Sequence, residues 1–355
     1  MTINFVSGFE SIIDQKRPLQ LLTTLLKKGT IPHALLFTGI DGAGKHNAAI
    51  AFAMACNCLG KGSASKEQYA GNAGNYPEGP SVSEPCCICR SCRKILSHNH
   101  PDILHIEPTG AIIKIAQIRS LCHTLTMKPF EARLRVVVIS RAQAMNPEAA
   151  NALLKVLEEP PASTMLILTA EQTSDLLPTI VSRCQQIRFN PISRKSIALY
   201  LTSDQKIPPD QAAIIAGMAR GSLSRARSMS KTGWIDHRNR LLSTSGLDNP
   251  GTLPAKPINV LLAFAENLSK QKDTLPDALE IIKSWLRDIV VCQYNTKKVI
   301  NADMTATLKK ISEKISPELL LQKIMAIQRT QRNIESNANP RLSLELLMLQ
   351  LAEKY

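Results

Sequence analysis

Hydrophobic and polar positions alternate between two periods along the first two-thirds of the chain. Leu19, Leu21, Leu22, Leu25 and Leu26 recur at helical spacing, and Pro18 falls where a first turn tolerates it. Residues 34–38 form a continuous apolar run that enters a glycine-rich loop, which reads as a buried strand. Residues 45–58 are Ala-rich and read as a helix. Further strands are predicted at 103–106, 134–139, 165–169 and 185–189, with helices between them at 115–127 and 147–157. Strand–helix alternation of this kind predicts an α/β unit with a mostly parallel, doubly wound sheet. After Pro191 the strand signals stop. Segments 193–202, 209–219 and 222–230 read as a small helical domain. Residues 236–256, with their Gly, Pro, Ser and Asn, read as a linker. From residue 257 to 355 the pattern is helical, ending in Leu342, Leu344, Leu346, Leu347, Leu349 and Leu351. The organisation expected is therefore 1–191, 192–240 and 257–355.

The glycine loop is Gly39-Ile40-Asp41-Gly42-Ala43-Gly44-Lys45-His46. A phosphate-binding loop reads G-x-x-x-x-G-K followed by Ser or Thr. Its glycines let backbone N–H groups close around phosphate, its Lys meets the outer phosphates, and its hydroxyl holds Mg²⁺. Gly39, Gly42, Gly44 and Lys45 satisfy the pattern between a predicted strand and a predicted helix. His46 does not, because imidazole is a poor partner for a small cation that prefers oxygen. In an active ATPase of this kind a hydrophobic strand ends in Asp-Glu, for Mg²⁺ and for the attacking water. Here the strand over 135–139 ends in Ser140-Arg141. Glu148 opens the next helix, where favourable interaction with the helix dipole accounts for it. Nucleotide binding stays open on these residues, whereas hydrolysis is not expected.

Two further runs carry a resemblance. Asn151-Ala152-Leu153-Leu154-Lys155-Val156-Leu157-Glu158-Glu159-Pro160-Pro161, followed by Ser182-Arg183-Cys184, closely resembles the bacterial DNA polymerase III clamp-loader subunits of the AAA+ class. The resemblance implies a P-loop AAA+ domain with a zinc module at about 56–93, a helical lid and an all-α collar. It implies motor (gamma/tau) and delta subunits as partners, with primed DNA and a sliding clamp met through the complex. It also implies that Arg183 acts in trans, as a finger on a neighbour's ATP. A planar guanidinium suits that task. Motor subunits of the family carry a nucleotide-sensing Arg in a Gly-Ser-Leu-Arg run. This chain reads Gly221-Ser222-Leu223-Ser224-Arg225, with the Arg displaced by one position, about 100° around a helix. Three changed ATP-handling elements beside a retained Arg183 resemble the stator type of subunit. Two rivals stand beside that reading: a hydrolysing motor subunit, and a standalone zinc-dependent nucleic-acid-binding module.

Four of the nine cysteines fall within residues 86–92, a clustering that points to metal rather than to disulfides. Cys86, Cys89 and Cys92 have C-x₂-C-x₂-C spacing. By resemblance the fourth zinc ligand is Cys58, at the end of the helix after the glycine loop. Cys56 could replace it, and His98 and His100 are alternatives that read more simply as exposed loop residues. Four thiolates leave no open coordination position, so such a zinc is structural. Cys122, Cys184 and Cys292 read as small core residues. The segment 60–85 looks like an insertion rich in Gly, Ser, Pro and Asn.

Composition adjusts this picture only a little. A hydrophobic content of 44% supports a large core, and no apolar run reaches the roughly 20 residues of a membrane span. Residues 1–10 lack the pattern of a signal peptide, so the chain is expected in the cytoplasm. The net charge of +14 favours a polyanionic partner, while aromatic content of 4% argues against a reader built on base stacking. Arg220, Arg225, Arg227, Lys231, Arg238 and Arg240 are the basic cluster that could meet phosphates; a solvated helix face is the simpler meaning.

Overall fold

Five strands and the helices between them build the first part of the molecule. In this computed structural model the described residues are 8–60, 84–249, 256–271 and 273–352. Most of the 60–85 insertion and the end of the 236–256 linker therefore lie outside them. Two units are distinguished: residues 1–196 with 221–224, and residues 197–220 with 225–355.

In the first unit the order is α1 (Lys16–Lys28), β1 (Ala34–Thr38), α2 (Lys45–Cys56), α3 (Arg90–Leu96), β2 (Ile103–Ile106), α4 (Ile115–Leu125), β3 (Arg135–Ile139), α5 (Pro147–Glu158), β4 (Thr164–Ala170), α6 (Pro178–Val181) and β5 (Gln185–Arg188). The strands form one sheet in the order β2-β3-β4-β1-β5, parallel throughout. Both faces are covered, so β1, β3 and β4 are buried at every position. Leu35, Phe37, Val136, Val138 and Ile167 pack with α1, α2 and α3 through Leu22, Phe52 and Ile95. Their neighbours in sequence, Leu36, Val137, Ile139 and Leu168, pack on the other face with α4 and α5 through Ile118, Leu121 and Leu153. The two-residue period of a strand thus splits one apolar run between two cores.

The register brings the ends of β1 and β3 to one edge of the sheet, with β4 between them. Gly39 follows β1 there, and Ser140 follows β3. Asn146 caps α5 by accepting from the Ala149 N–H at 3.0 Å, and Pro147 starts the helix without wasting a donor.

The second unit is helical: α7 (Arg194–Ser203), α8 (Pro209–Met218), α9 (Leu223–Lys231), α10 (Trp234–Ser245), α11 (Ile258–Lys270), α12 (Leu275–Tyr294), α13 (Thr305–Ser312), α14 (Pro317–Glu335) and α15 (Pro340–Ala352). The unit boundaries cross α7 and α9 near their starts. α11 packs on α15, and α12 packs on α13 and α14. Trp285 is fully buried and donates its indole N–H to the Leu247 carbonyl at 2.7 Å.

Two expectations are corrected here. Residues 234–245, mostly assigned to a linker, form α10. Trp234, Arg238, Leu241, Leu242 and Ser245 line one buried face, and Gly233 and Gly246 flank the helix in left-handed conformations. Its polar composition hid that helical period. Arg238 is likewise no phosphate contact: it is buried and bonded to Asp303, Asn301 and Asn239.

Candidate functional site

The glycine loop has phosphate-loop geometry, but its groups are turned inward. Gly39, Gly42 and Gly44 all have positive φ, at 138°, 76° and 99°. A Cβ on Gly39 would lie 2.4 Å from the Phe189 carbonyl oxygen, so only glycine fits that approach. Lys45 is buried, and its ammonium donates to the carbonyls of Gly39 and, at 2.9 Å, Ile40. Burial lowers its pKa, opposed by the charges of Asp41 and Glu171. The segment 221–224 lies against the same loop. The Leu223 N–H donates to the Gly42 carbonyl at 3.0 Å, and a Cβ on Gly42 would meet the hydroxyls of Ser224 and Ser222 at 2.1 and 2.3 Å. Ser224, at the sensing position, therefore faces the glycine loop. Arg225 instead pairs with Asp277 at 3.1 Å.

At the metal end of the loop, His46 Nδ1 lies 3.4 Å from Ser140 Oγ. Two residues that replace Mg²⁺-holding oxygens thus meet each other. Arg141 follows in a left-handed conformation, its N–H donating to Thr169 Oγ1 at 3.1 Å, with the side chain exposed. Glu148 is exposed in the first turn of α5.

Arg183 sits on the turn between α6 and β5. One guanidinium nitrogen donates to the Thr179 carbonyl at 3.0 Å, and another pairs with Glu158 at 2.7 Å. The Arg183 and Glu158 side chains are 35% and 50% exposed, so the pair is held out to solvent. Glu158 belongs to the 151–161 run, so the pair links that run to Ser182-Arg183-Cys184. Cys184 beside it is buried, and burial pushes its thiol up to about 11, the profile of a core residue.

The structure gathers Cys58, Cys86, Cys89 and Cys92, whose sulfurs all lie within 4.8 Å of one another. Sulfurs on a tetrahedral Zn²⁺, each about 2.3 Å from the ion, stand somewhat closer together, about 3.8 Å. The donor set fits in chemistry as well. Backbone N–H groups of Gly60 and Cys86 point at Cys58 Sγ, that of Cys89 at Cys86 Sγ and that of Cys92 at Cys89 Sγ, each at 3.4 Å. Such donors stabilise thiolates. The Cys58 thiol is pulled far below its ordinary range, first by the bond it shares with Cys92 and then by those N–H groups, against burial. Cys87 takes φ 59° and makes the turn between ligands rather than joining them. Cys56 is no substitute for Cys58, since its sulfur is not among the four that gather around one point. His98 is exposed as expected, but His100 is not: it is buried, its Nδ1 accepts from the Asp102 N–H at 3.2 Å, and its Nε2 lies 3.8 Å from Glu131.

A parallel sheet in this order, with a Gly-Lys loop after the strand where connections reverse direction, defines the AAA+ class of P-loop proteins. The chain belongs to the DNA polymerase III delta subunit family, as a clamp-loader subunit of the delta-prime type: the model of "DNA polymerase III, delta subunit" matches residues 14–193 and that of its C-terminal part residues 252–353. The Bacillus subtilis DNA polymerase III subunit delta-prime is 29% identical, with 96% of each chain covered. The tau subunit of the same organism is 24% identical over 97% of this chain and 61% of its own. Among solved structures, a gamma subunit-related protein of Thermotoga maritima aligns over 96% of this chain and 99% of its own, at 17% identity and a TM-score of 0.43.

Proposed function

We propose that this chain is the non-hydrolysing stator of a clamp loader and supplies Arg183 to the ATP of a neighbouring motor subunit. Partners on this reading are tau/gamma-type motors and a delta subunit, and the assembly opens a sliding clamp and places it on primed DNA in the cytoplasm. The observation that carries the reading is a contrast within one sheet. The chain's own loop has its Lys bonded to loop carbonyls and its metal end occupied by His46 and Ser140, while Arg183 is partly exposed and pairs with one half-solvated acid. A guanidinium so held is free to exchange Glu158 for a phosphate, which accepts the same forked geometry.

Residues 1–191 would carry this AAA+ part, 192–240 a lid and 257–355 the collar. In α15, Leu344, Leu347, Met348 and Leu351 point inward, whereas Leu342, Leu346 and Leu349 are exposed and suit contact with other subunits. Cys58, Cys86, Cys89 and Cys92 would hold a structural Zn²⁺, which ties the end of α2 to the start of α3 and supplies no open position. Of the rivals, the motor reading lacks a water-orienting carboxylate after β3. The standalone module does not use the 252–353 match.

The test is ATP turnover with Mg²⁺ by the purified chain, alone and reconstituted with motor and delta subunits. The chain alone should be inactive and should raise turnover of the assembly. Motor-like hydrolysis by the monomer would overturn the proposal. Elemental analysis should find one zinc per chain, and Cys58→Ser should lose it.

A further inference from the structure

Three imidazoles from three separate elements meet at the metal end of the glycine loop. His46 is in the first turn of α2, His105 lies on β2, and His98 on the turn that follows α3. The ring centres of His46 and His105 are 5.9 Å apart, and those of His98 and His105 are 5.1 Å apart. None of the three was singled out together by sequence, because 46, 98 and 105 share no motif spacing. The fold makes the cluster.

The cluster has a feature that packing does not explain. His105 Nε2 is buried and has no hydrogen-bond partner. Buried polar nitrogens normally have one, and leaving one without costs about 1–3 kcal/mol. Stacked or edge-on aromatic contact would satisfy the ring faces but not that nitrogen. Two imidazoles on one tetrahedral dication, each nitrogen about 2.0–2.1 Å from the ion, have ring centres roughly 5 Å apart. The observed separations are of that size. Imidazole nitrogens in the neutral form are metal donors. Glu107 adds a nearby negative charge that acts on His46, and Ser140 Oγ is within 3.4 Å of its Nδ1.

We propose that His46, His98 and His105 form a second metal site, at the position where hydroxyl-bearing P-loops hold Mg²⁺, and that it takes a late transition-metal dication such as Ni²⁺ or Zn²⁺. Nitrogen donors select against Mg²⁺ and favour these ions. Among the described residues only the four cysteines are already gathered tightly around one point. The imidazoles reach a common ion by turning about their side-chain torsions, and exposed His98 has room to do so. The inference goes beyond the stator reading and does not depend on Arg183.

The experiment uses full-length, tag-free protein with zinc on its cysteines. Equilibrium dialysis against Ni²⁺ should show one further ion per chain, with the cysteine zinc retained. His98→Ala changes an exposed side chain and keeps the fold; His105→Gln probes the ring whose Nε2 is buried. Each should weaken Ni²⁺ binding at least tenfold. Co²⁺ in the same site should give a visible spectrum without sulfur charge-transfer bands. No nickel beyond background, or equal affinity in wild type and both variants, overturns the proposal. Since the readout is metal content, failure here leaves the Arg183 reading standing, and a silent Arg183 variant leaves this one standing.

Discussion

The glycine loop and the Arg183 turn use charge in opposite ways. At the loop, Lys45 is buried and spends its donors on the carbonyls of Gly39 and Ile40. At the turn, Arg183 is about one-third exposed and leans on a single carboxylate that is half exposed. A buried ammonium bonded within its own loop is part of the scaffold. A partly exposed guanidinium on a surface ion pair is held in a ready geometry at little cost, since such pairs contribute about 0–1 kcal/mol. The sequence motifs of the two regions look equally functional. Their surroundings differ: Lys45 is bonded within its own loop, whereas Arg183 is held in a partly solvated ion pair.

The largest expected effect comes from removing the available cation. Arg183→Ala should leave the fold intact, because the side chain contributes a surface pair and local bonds to Thr179 and Ser182. At the one ATP site it serves, hydrolysis should fall about a thousandfold or more, the range of arginine fingers. Turnover of the whole assembly should drop only by that site's share. Arg183→Lys should not restore it, because a point charge lacks the planar fork. The measurement is single-turnover ATP hydrolysis by the reconstituted loader. Wild-type rates in the alanine variant would erase the distinction between the two regions.

A smaller and opposite outcome is expected at the loop. In Lys45→Met the carbonyls of Gly39 and Ile40 lose their donor, and stability should fall by about 1–3 kcal/mol. Urea denaturation would measure this. Turnover by the assembly should not change, because on this reading Lys45 meets no γ-phosphate. A motor subunit given the same substitution should lose its own hydrolysis. If Lys45→Met cuts assembly turnover without lowering stability, the loop is catalytic after all.

Much of the fold was readable because strands buried on both faces write themselves as unbroken apolar runs. β1 and β2 fall at the predicted residues, and β3, β4 and β5 within one residue of them at each end. What hid was decided by tertiary surroundings. α10 has a polar composition and is helical because Trp234, Leu241 and Leu242 find a core. Arg238 reads as a surface cation and is buried because Asp303 and Asn301 come from 60-odd residues away. His100 reads as a loop residue and is buried beside Asp102 and Glu131. At the site, glycines, Lys45 and the cysteine spacing were legible as local patterns. The bonding of Lys45 to its own loop, the seat of Ser222 and Ser224 on Gly42, and the meeting of His46 with His105 and Ser140 were not. Each is a contact between segments that no local spacing encodes.

The smallest effect sharpens the comparison most finely. Glu158→Gln keeps the shape of the side chain and removes the charge that holds Arg183 in the free chain. Thr179 still accepts from one guanidinium nitrogen, so the turn keeps part of its order. Stability should change by no more than about 0.5–1 kcal/mol, as for other exposed pairs, and less at high salt. The effect on hydrolysis depends on which state the carboxylate favours. If Glu158 only competes with phosphate for the guanidinium, the variant should engage the neighbour's ATP slightly better, by a few-fold in apparent affinity. If Glu158 instead aims the guanidinium while it contacts phosphate, kcat should fall with little change in affinity. The arrangement favours the first outcome, because Glu158 takes a terminal nitrogen of Arg183 that a phosphate would need. Titrating ATP against the assembled loader with each form separates the two, and a drop in kcat alone would recast Glu158 as a positioning residue rather than a placeholder.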